Sequence, residues 1–294
     1  MVTRDLHRLI TKLEADPALP RASRLRKRLA ALDELDAYLG NRDLEALEAG
    51  PQCGPIYEQA LAIRSRLEAV NSAIYRSIRS QLQRGGEPRR LRRWIQICTN
   101  ETGPQAPGLG YDDLDELISG VLALREPAKA DILAGAEMVF YQPTPMRHII
   151  DLIKVSKLSN VDVLVDLGSG LGHVPMLTSI LTGSRGIGIE LETAYIESAR
   201  ECAERLGLSG VTFLHQDVRE ADLSLGTVFY LYTPFTGTLL RSVLDRLRSE
   251  SASRAIKVCT LGPCTSVIAN EPWLRTGAKP DADRITCFWS NTRS

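Results

Sequence analysis

Residues 163–173 read Val-Leu-Val-Asp-Leu-Gly-Ser-Gly-Leu-Gly-His, an apolar run that enters a loop with glycine at every second position. Glycine lets the backbone turn sharply there and lets a ligand approach with no Cβ in the way. A helix expected over Val174–Leu181 carries the chain away, and short apolar runs then alternate with amphipathic helices. Strands are expected at Val161–Val165, Gly186–Ile189, Val211–Leu214, Thr227–Leu231 and Ala255–Cys259. Helices are expected at Thr193–Leu206 and Leu239–Leu247, and two last strands at Trp273–Thr276 and Ile285–Trp289. Such alternation implies right-handed crossovers and a mostly parallel sheet. The last two strands lack a helix between them, which predicts a terminal antiparallel hairpin.

The first hundred residues have a different texture. Leu25, Leu29, Leu32, Leu35 and Leu39 recur at helical spacing between Ser23 and Gly40. From Pro55 to Gln83, Ala60, Ile63, Leu67, Val70, Ile74, Ile78 and Leu82 do the same, and Gly85-Gly86 ends the run. These are two amphipathic helices. The long one needs a neighbour, and the Leu25–Leu39 stripe is the obvious partner, within a bundle or, as the alternative, in a dimeric coiled coil. Residues 102–110 read as a loop, Asp112–Leu124 as a short helix, and a further lead-in ends at Phe140. The resulting expectation is an all-α N-terminal domain (1–100), a connection (101–135) and an α/β domain (136–294) with a doubly wound, mostly parallel sheet.

Charge follows the same division. Of 36 basic and 36 acidic residues, residues 1–100 hold 18 and 12, leaving 18 and 24 for the rest. The stretch Arg84–Trp94 alone has five arginines, Arg84, Arg89, Arg90, Arg92 and Arg93. It reads either as a phosphate or acidic-partner contact, or as a solvated helix start whose Leu91, Trp94 and Ile95 face the core. The six cysteines include no CxxC pair, and the four histidines are isolated, so no metal-ligand spacing occurs. Reduced thiols, no signal peptide and no apolar run of bilayer length together place the protein in the cytoplasm, away from membranes.

The chemistry is concentrated around the glycine loop. Its spacing is GxGxG, not the GxGxxG of dinucleotide sites, and Asp166 beside it would repel a pyrophosphate. An anion there suits a ligand carrying a sulfonium or ammonium. The next strand ends in Glu190, placed to accept from both hydroxyls of a ribose. Asp217, after the third strand, stands where a carboxylate can accept from an adenine amino group. Asp166, Gly168, Ser169, Gly170, Gly172, His173, Glu190 and Asp217 together describe a site for S-adenosyl-L-methionine (SAM).

In that order of motifs the chain resembles the class I, seven-stranded, Rossmann-like SAM-dependent methyltransferases over roughly residues 135–294. The resemblance implies a doubly wound sheet with an antiparallel last strand and SAM as cofactor. Upstream, Tyr141-Gln142-Pro143-Thr144-Pro145 is similar to an element of the small protein lysine methyltransferases and, in placement, of the non-SET histone lysine methyltransferases. That similarity implies Tyr141 and Thr144 as cofactor-lid residues; the alternative is a rigid turn packing Phe140 and Met146 into the core. The segment Tyr232-Thr233-Pro234-Phe235 partly resembles the N/D-P-P-Y/F motif of planar-amine methyltransferases, but no carboxamide or carboxylate stands at its head. Tyr232 and Phe235 can instead wall an alkylammonium by cation–π attraction, or Phe235 can be core.

Catalysis by in-line displacement rests on alignment and water exclusion, with Tyr141, Tyr232 or solvent taking the acceptor's proton. His173 is a further candidate, with a hydrogen-bonding structural role as its alternative. The leading expectation is methyl transfer to a protein side chain, a lysine, with the basic helical module positioning it. An RNA or small-metabolite methyltransferase, the RNA gripped through Arg84–Arg93, and a SAM-binding scaffold are the alternatives.

Overall fold

The computed structural model describes residues 2–40, 54–102, 110–125, 127 and 141–291. Most of the expected 102–110 loop, the lead-in ending at Phe140, and Cys53 lie outside the described residues. Helices come first: α1 (Val2–Glu14), α2 (Leu25–Leu39), α3 (Gly54–Gln83), α4 (Arg89–Thr102) and α5 (Asp113–Leu122). At 1.5 Å per residue α3 is about 45 Å long. Its apolar stripe serves two cores. Ala60, Ile63 and Leu67 pack with Leu6, Ile10 and Leu13 of α1 and Leu35 of α2, whereas Ile74, Ile78 and Leu82 join the cluster beneath the sheet. The expected pairing of α3 with α2 is present, and α1 completes the bundle.

Within this bundle Arg28 is wholly buried. Its Nε donates to Asn71 Oδ1 (2.7 Å) and its two Nη atoms donate to the carbonyls of Leu19, Arg21 and Ala22. The guanidinium thus closes the α1–α2 turn onto α3, its charge met by carbonyl dipoles.

The α/β portion runs α6 (Met146–Ser156), β1 (Val163–Leu167), α7 (His173–Thr182), β2 (Arg185–Glu190), α8 (Thr193–Leu206), β3 (Val211–His215), β4 (Val228–Tyr232), α9 (Gly237–Ser251), β5 (Lys257–Leu261), α10 (Cys264–Ile268), β6 (Leu274–Arg275) and β7 (Thr286–Ser290). The seven strands lie in the order β3-β2-β1-β4-β5-β7-β6. Pairs among β1 to β5 are parallel, and β7 runs antiparallel to both β5 and β6. This is the expected doubly wound sheet with its closing hairpin. Residues from α6, α7 and α8 cover one face and those from α9 and α10 the other, so every residue of β1 is buried. That double coverage is why β1 reads as a continuous apolar run without alternation.

Two boundaries move. β1 begins two residues later than expected because Val161 is 83% exposed in a turn closed by Ser159 and Asp162. α9 extends to Ser251 through polar residues that carry no apolar signal. Among the described residues no helix is long and apolar enough to cross a membrane.

Candidate active site

Strand order reverses between β1 and β4, which opens a crevice at their carboxyl ends, the place where open α/β sheets bind ligands. The glycine loop fills its floor. Gly168 and Gly170 have φ +86° and +49°, a region that β-carbon-bearing residues avoid. A Cβ on Gly168 would stand 2.4 Å from Pro234 Cβ, and one on Gly170 2.0 Å from Tyr141 Cε2. The loop is therefore pressed between the chain leaving β4 and the Tyr141 ring.

Asp166, one residue before the end of β1, is 4% exposed. Among the described residues no donor reaches its carboxylate; burial first, and the nearby Glu190 second, push it well above the usual carboxylate range. Ser169 Oγ is likewise buried with no partner. These two unmet polar groups at a loop with left-handed glycines fit a ligand that brings positive charge and a donor. Glu190 ends β2, where one oxygen accepts from Gly170 N–H (2.8 Å) and the other from Leu191 and Glu192 N–H (2.7 and 3.0 Å). A carboxylate has about four lone-pair sites, so a vicinal diol would take the remaining one and displace a backbone donor. Asp217 lies just beyond β3, where Arg219 engages both of its oxygens and holds its pKa below the usual carboxylate range.

The segment from Tyr141 to Met146 is tied down almost residue by residue. Tyr141 OH lies 3.0 Å from His173 Nδ1, and its ring packs on Tyr195 at 5.0 Å between centroids. Burial lowers His173 to about 4 and raises Tyr141 well above its normal range. Both groups are therefore neutral, and the tautomer of His173 sets which of them donates. Gln142 Oε1 accepts from Tyr232 OH (3.3 Å), Pro143 O from Tyr111 OH (2.8 Å), and Thr144 Oγ1 shares a hydrogen bond with Tyr230 OH (3.0 Å). Met146 N–H donates to Asp115 Oδ1 (2.7 Å). Tyr230, Tyr195, Gln142, Tyr111 and Asp115 were not among the sequence candidates. Tyr230 carries a hydroxyl enclosed by apolar neighbours in β4, and it is the register partner of Asp166.

Beyond β4 the chain turns through Thr233 at φ +40°, a strained conformation for a β-branched residue. Thr233 Oγ1 donates to Leu261 O (3.1 Å) and accepts from Cys264 N–H (3.2 Å), which holds the turn. Tyr232 remains half-buried at the crevice, while Phe235, expected beside it as an aromatic wall, is 5% exposed in the α9-side core. The left-handed step at Thr233 separates the two aromatics.

The mouth is acidic. Asp112 caps α5 and receives Leu114 N–H (2.8 Å), its own N–H going to Asp115 Oδ2 (2.8 Å). Burial raises Asp115 to about 6 despite these bonds. A cavity of about 320 Å³ behind the Tyr141–Met146 segment is lined by Tyr111, Asp115, Glu116, Thr144, Leu171 and His173, among others. The basic run sits elsewhere. Arg92 donates to Leu181 O (2.6 Å) near the end of α7, and Gln83 donates to Arg205 O (2.9 Å) near the end of α8. Arg89 and Arg92 pair with Glu87, and Arg90 bonds Ser77, whereas Arg84 and Arg93 are exposed. Leu91 is core and Trp94 and Ile95 pack against it, as the helix-start reading required.

No protein-family model matches the chain. It is 38% identical over 61 residues to an uncharacterized protein of Methanocaldococcus jannaschii, a match covering 21% of this chain and spanning only 27% of that relative's length. It is 25% identical over 133 residues to a protein-lysine N-methyltransferase of Saccharolobus islandicus, covering 45% of this chain and 75% of the relative. Among solved structures, an RNA methyltransferase from Salinibacter ruber in complex with S-adenosyl-L-homocysteine is 28% identical, covering 51% of this chain and 92% of that one, with a TM-score of 0.40.

Proposed function

We propose that this chain is a SAM-dependent methyltransferase whose acceptor is an alkylammonium, a lysine side chain of a protein. The observation that carries the cofactor assignment is the buried carboxylate of Asp166, which has no donor among the described residues and lies beside a glycine loop whose buried Ser169 Oγ also lacks one. Glu190 holds the ribose, Ser169 and the loop amides the methionine end, and Asp217 the adenine once Arg219 yields. Tyr141 and Thr144 form the lid. The bound cofactor supplies an electrophilic methyl group on a sulfonium.

The chain's own residues align the acceptor and exclude water. Burial keeps both Tyr141 and Tyr232 protonated across the neutral range, so neither serves as the base. They orient the acceptor nitrogen through their oxygen lone pairs, and its proton leaves to solvent. His173 acts by holding Tyr141 over Gly170. A lysine fits the mouth because Asp112, Asp115 and Glu116 stand at this end of the molecule and a cation is drawn there. The Saccharolobus relative, a protein-lysine N-methyltransferase, agrees with that acceptor. Residues 1–100 are a helical module, 101–135 its connection and 136–294 the cofactor-binding unit.

RNA is the second reading, favoured by the exposed Arg84 and Arg93. Incubating the full chain with methyl-labelled SAM and, separately, a lysine-rich protein mixture and total RNA distinguishes the two. Label should enter protein as methyl-lysine and be lost in Glu190→Ala. Label in RNA alone overturns the lysine assignment, and label in neither with no cofactor binding overturns both.

A further inference from the structure

Register partners run across the sheet from Asp166 on β1 to Tyr230 on β4, Cys259 on β5 and Cys287 on β7. Neighbouring partners point to the same face, so the two cysteines lie side by side beneath α6. Their geometry follows from the ladder. Ser290 N–H donates to Ile256 O (3.0 Å), and continuing the register from Lys257↔Trp289 sets these two residues opposite each other. They form a hydrogen-bonded pair. Hydrogen-bonded and non-hydrogen-bonded pairs alternate along an antiparallel ladder, so Val258 with Phe288 is the former kind and Cys259 with Cys287 the latter. Non-hydrogen-bonded partners have Cα atoms about 4.5 Å apart, inside the roughly 4.4–6.8 Å that a disulfide spans. The register sets the two side chains against each other, Cys287 Sγ also lies 3.9 Å from Phe288 O, and both thiols are free.

We propose that Cys259 and Cys287 form a redox-modification site, oxidised by a hydroperoxide to a cross-strand disulfide. The Cys287 thiolate attacks the peroxide oxygen, giving a sulfenic acid and, after protonation, an alcohol or water. The Cys259 thiol then attacks that sulfur, forming the S–S bond and releasing water, so two thiols lose two electrons to one peroxide.

The roles follow from the surroundings. Cys287 is half-exposed while Cys259 is wholly buried, so the oxidant meets Cys287 first. Lys257, two residues before Cys259 on the same face, is anchored by donating to Ser156 O (2.6 Å) at the end of α6. The neighbouring Cys259 thiol chiefly, and the Lys257 ammonium in addition, draw the Cys287 thiol below its ordinary range, while Cys259 is held above its own. Of the other described cysteines, Cys202 donates to Leu122 O and Cys264 to Leu261 O, and Cys98 lies in the core.

Trypsin separates the two thiols cleanly, since Cys259 falls in the peptide 258–275 and Cys287 in 285–293. The folded full chain is treated with hydrogen peroxide, alkylated, and digested without reductant. The expected product is these two peptides joined, lighter by two hydrogens, with Cys264 alkylated, and separated again by a thiol reductant. The link should disappear in Cys287→Ser and persist in Cys264→Ser. Over-oxidation of Cys287 to sulfinic or sulfonic acid without the link, or a link through Cys264, overturns the proposal. So does alkylation of both thiols after peroxide treatment.

Discussion

Gly170→Ala tests whether the Tyr141 ring is the true cover of the glycine loop. The added methyl would sit 2.0 Å from Tyr141 Cε2, well inside contact distance, so the ring must retreat. Retreat breaks the 3.0 Å Tyr141–His173 hydrogen bond, a net loss of about 1 kcal/mol, and the Tyr141–Tyr195 ring contact, about 1 kcal/mol more. Alanine at φ +49° adds about 1 kcal/mol of backbone strain. The variant should therefore lose about 3 kcal/mol. In a Tyr141→Ala background the ring is gone, and the same change should cost only the strain, about 1 kcal/mol. Urea denaturation of the four proteins gives the cycle, with an expected interaction of about −2 kcal/mol. Additivity to within about 0.5 kcal/mol would refute the contact, and with it the assignment of Tyr141 as lid.

Two further outcomes follow from buried charge. Asp166 has its acidity weakened by burial and Glu190, so its charged fraction grows as pH rises through the raised range. Affinity for a cationic ligand should rise with it: calorimetric titration with SAM should show tighter binding toward alkaline pH, and a flat profile in wild type, or a slope retained in Asp166→Asn, would remove Asp166 from the site. Arg28→Met should cost about 3–5 kcal/mol, because it strips a buried donor set from three carbonyls and Asn71. Thermal melting should show the loss while binding of S-adenosylhomocysteine at low temperature is retained; an unchanged melting point would mean the guanidinium is dispensable.

The sheet was legible because its signals are local. Period, glycine spacing and the acids closing β1 and β2 can be counted along the chain, and they place the loop, Asp166 and Glu190 where they are found. What escaped depends on the third dimension. The Thr144–Tyr230 bond joins residues 86 positions apart, and nothing beside either one announces it. α10 is five residues long, too short to display a helical period. Phe235 reads as a site residue only until Thr233 is known to adopt a positive φ, which sends the next aromatic to the other face. Asp115 closes the cap of α5 with one oxygen and fixes the start of α6, and so the lid, with the other, a double role that its place in the sequence does not display.

Charge position, more than charge total, bears on the acceptor. α7 begins at the glycine loop with His173 and ends at Thr182 beside Leu181, whose carbonyl Arg92 holds. Ten residues of helix put about 15 Å between the two ends. The Debye length at physiological ionic strength is about 8 Å, so the arginines act weakly on charges at the mouth, where Asp112, Asp115 and Glu116 stand with Arg147 acting on Asp115. Asp113 is already matched by Arg26 (3.2 Å). A polyanion gripped by Arg84 and Arg93 would have to cross the length of α7 and then enter an acidic crevice to react. A flexible basic side chain meets neither obstacle.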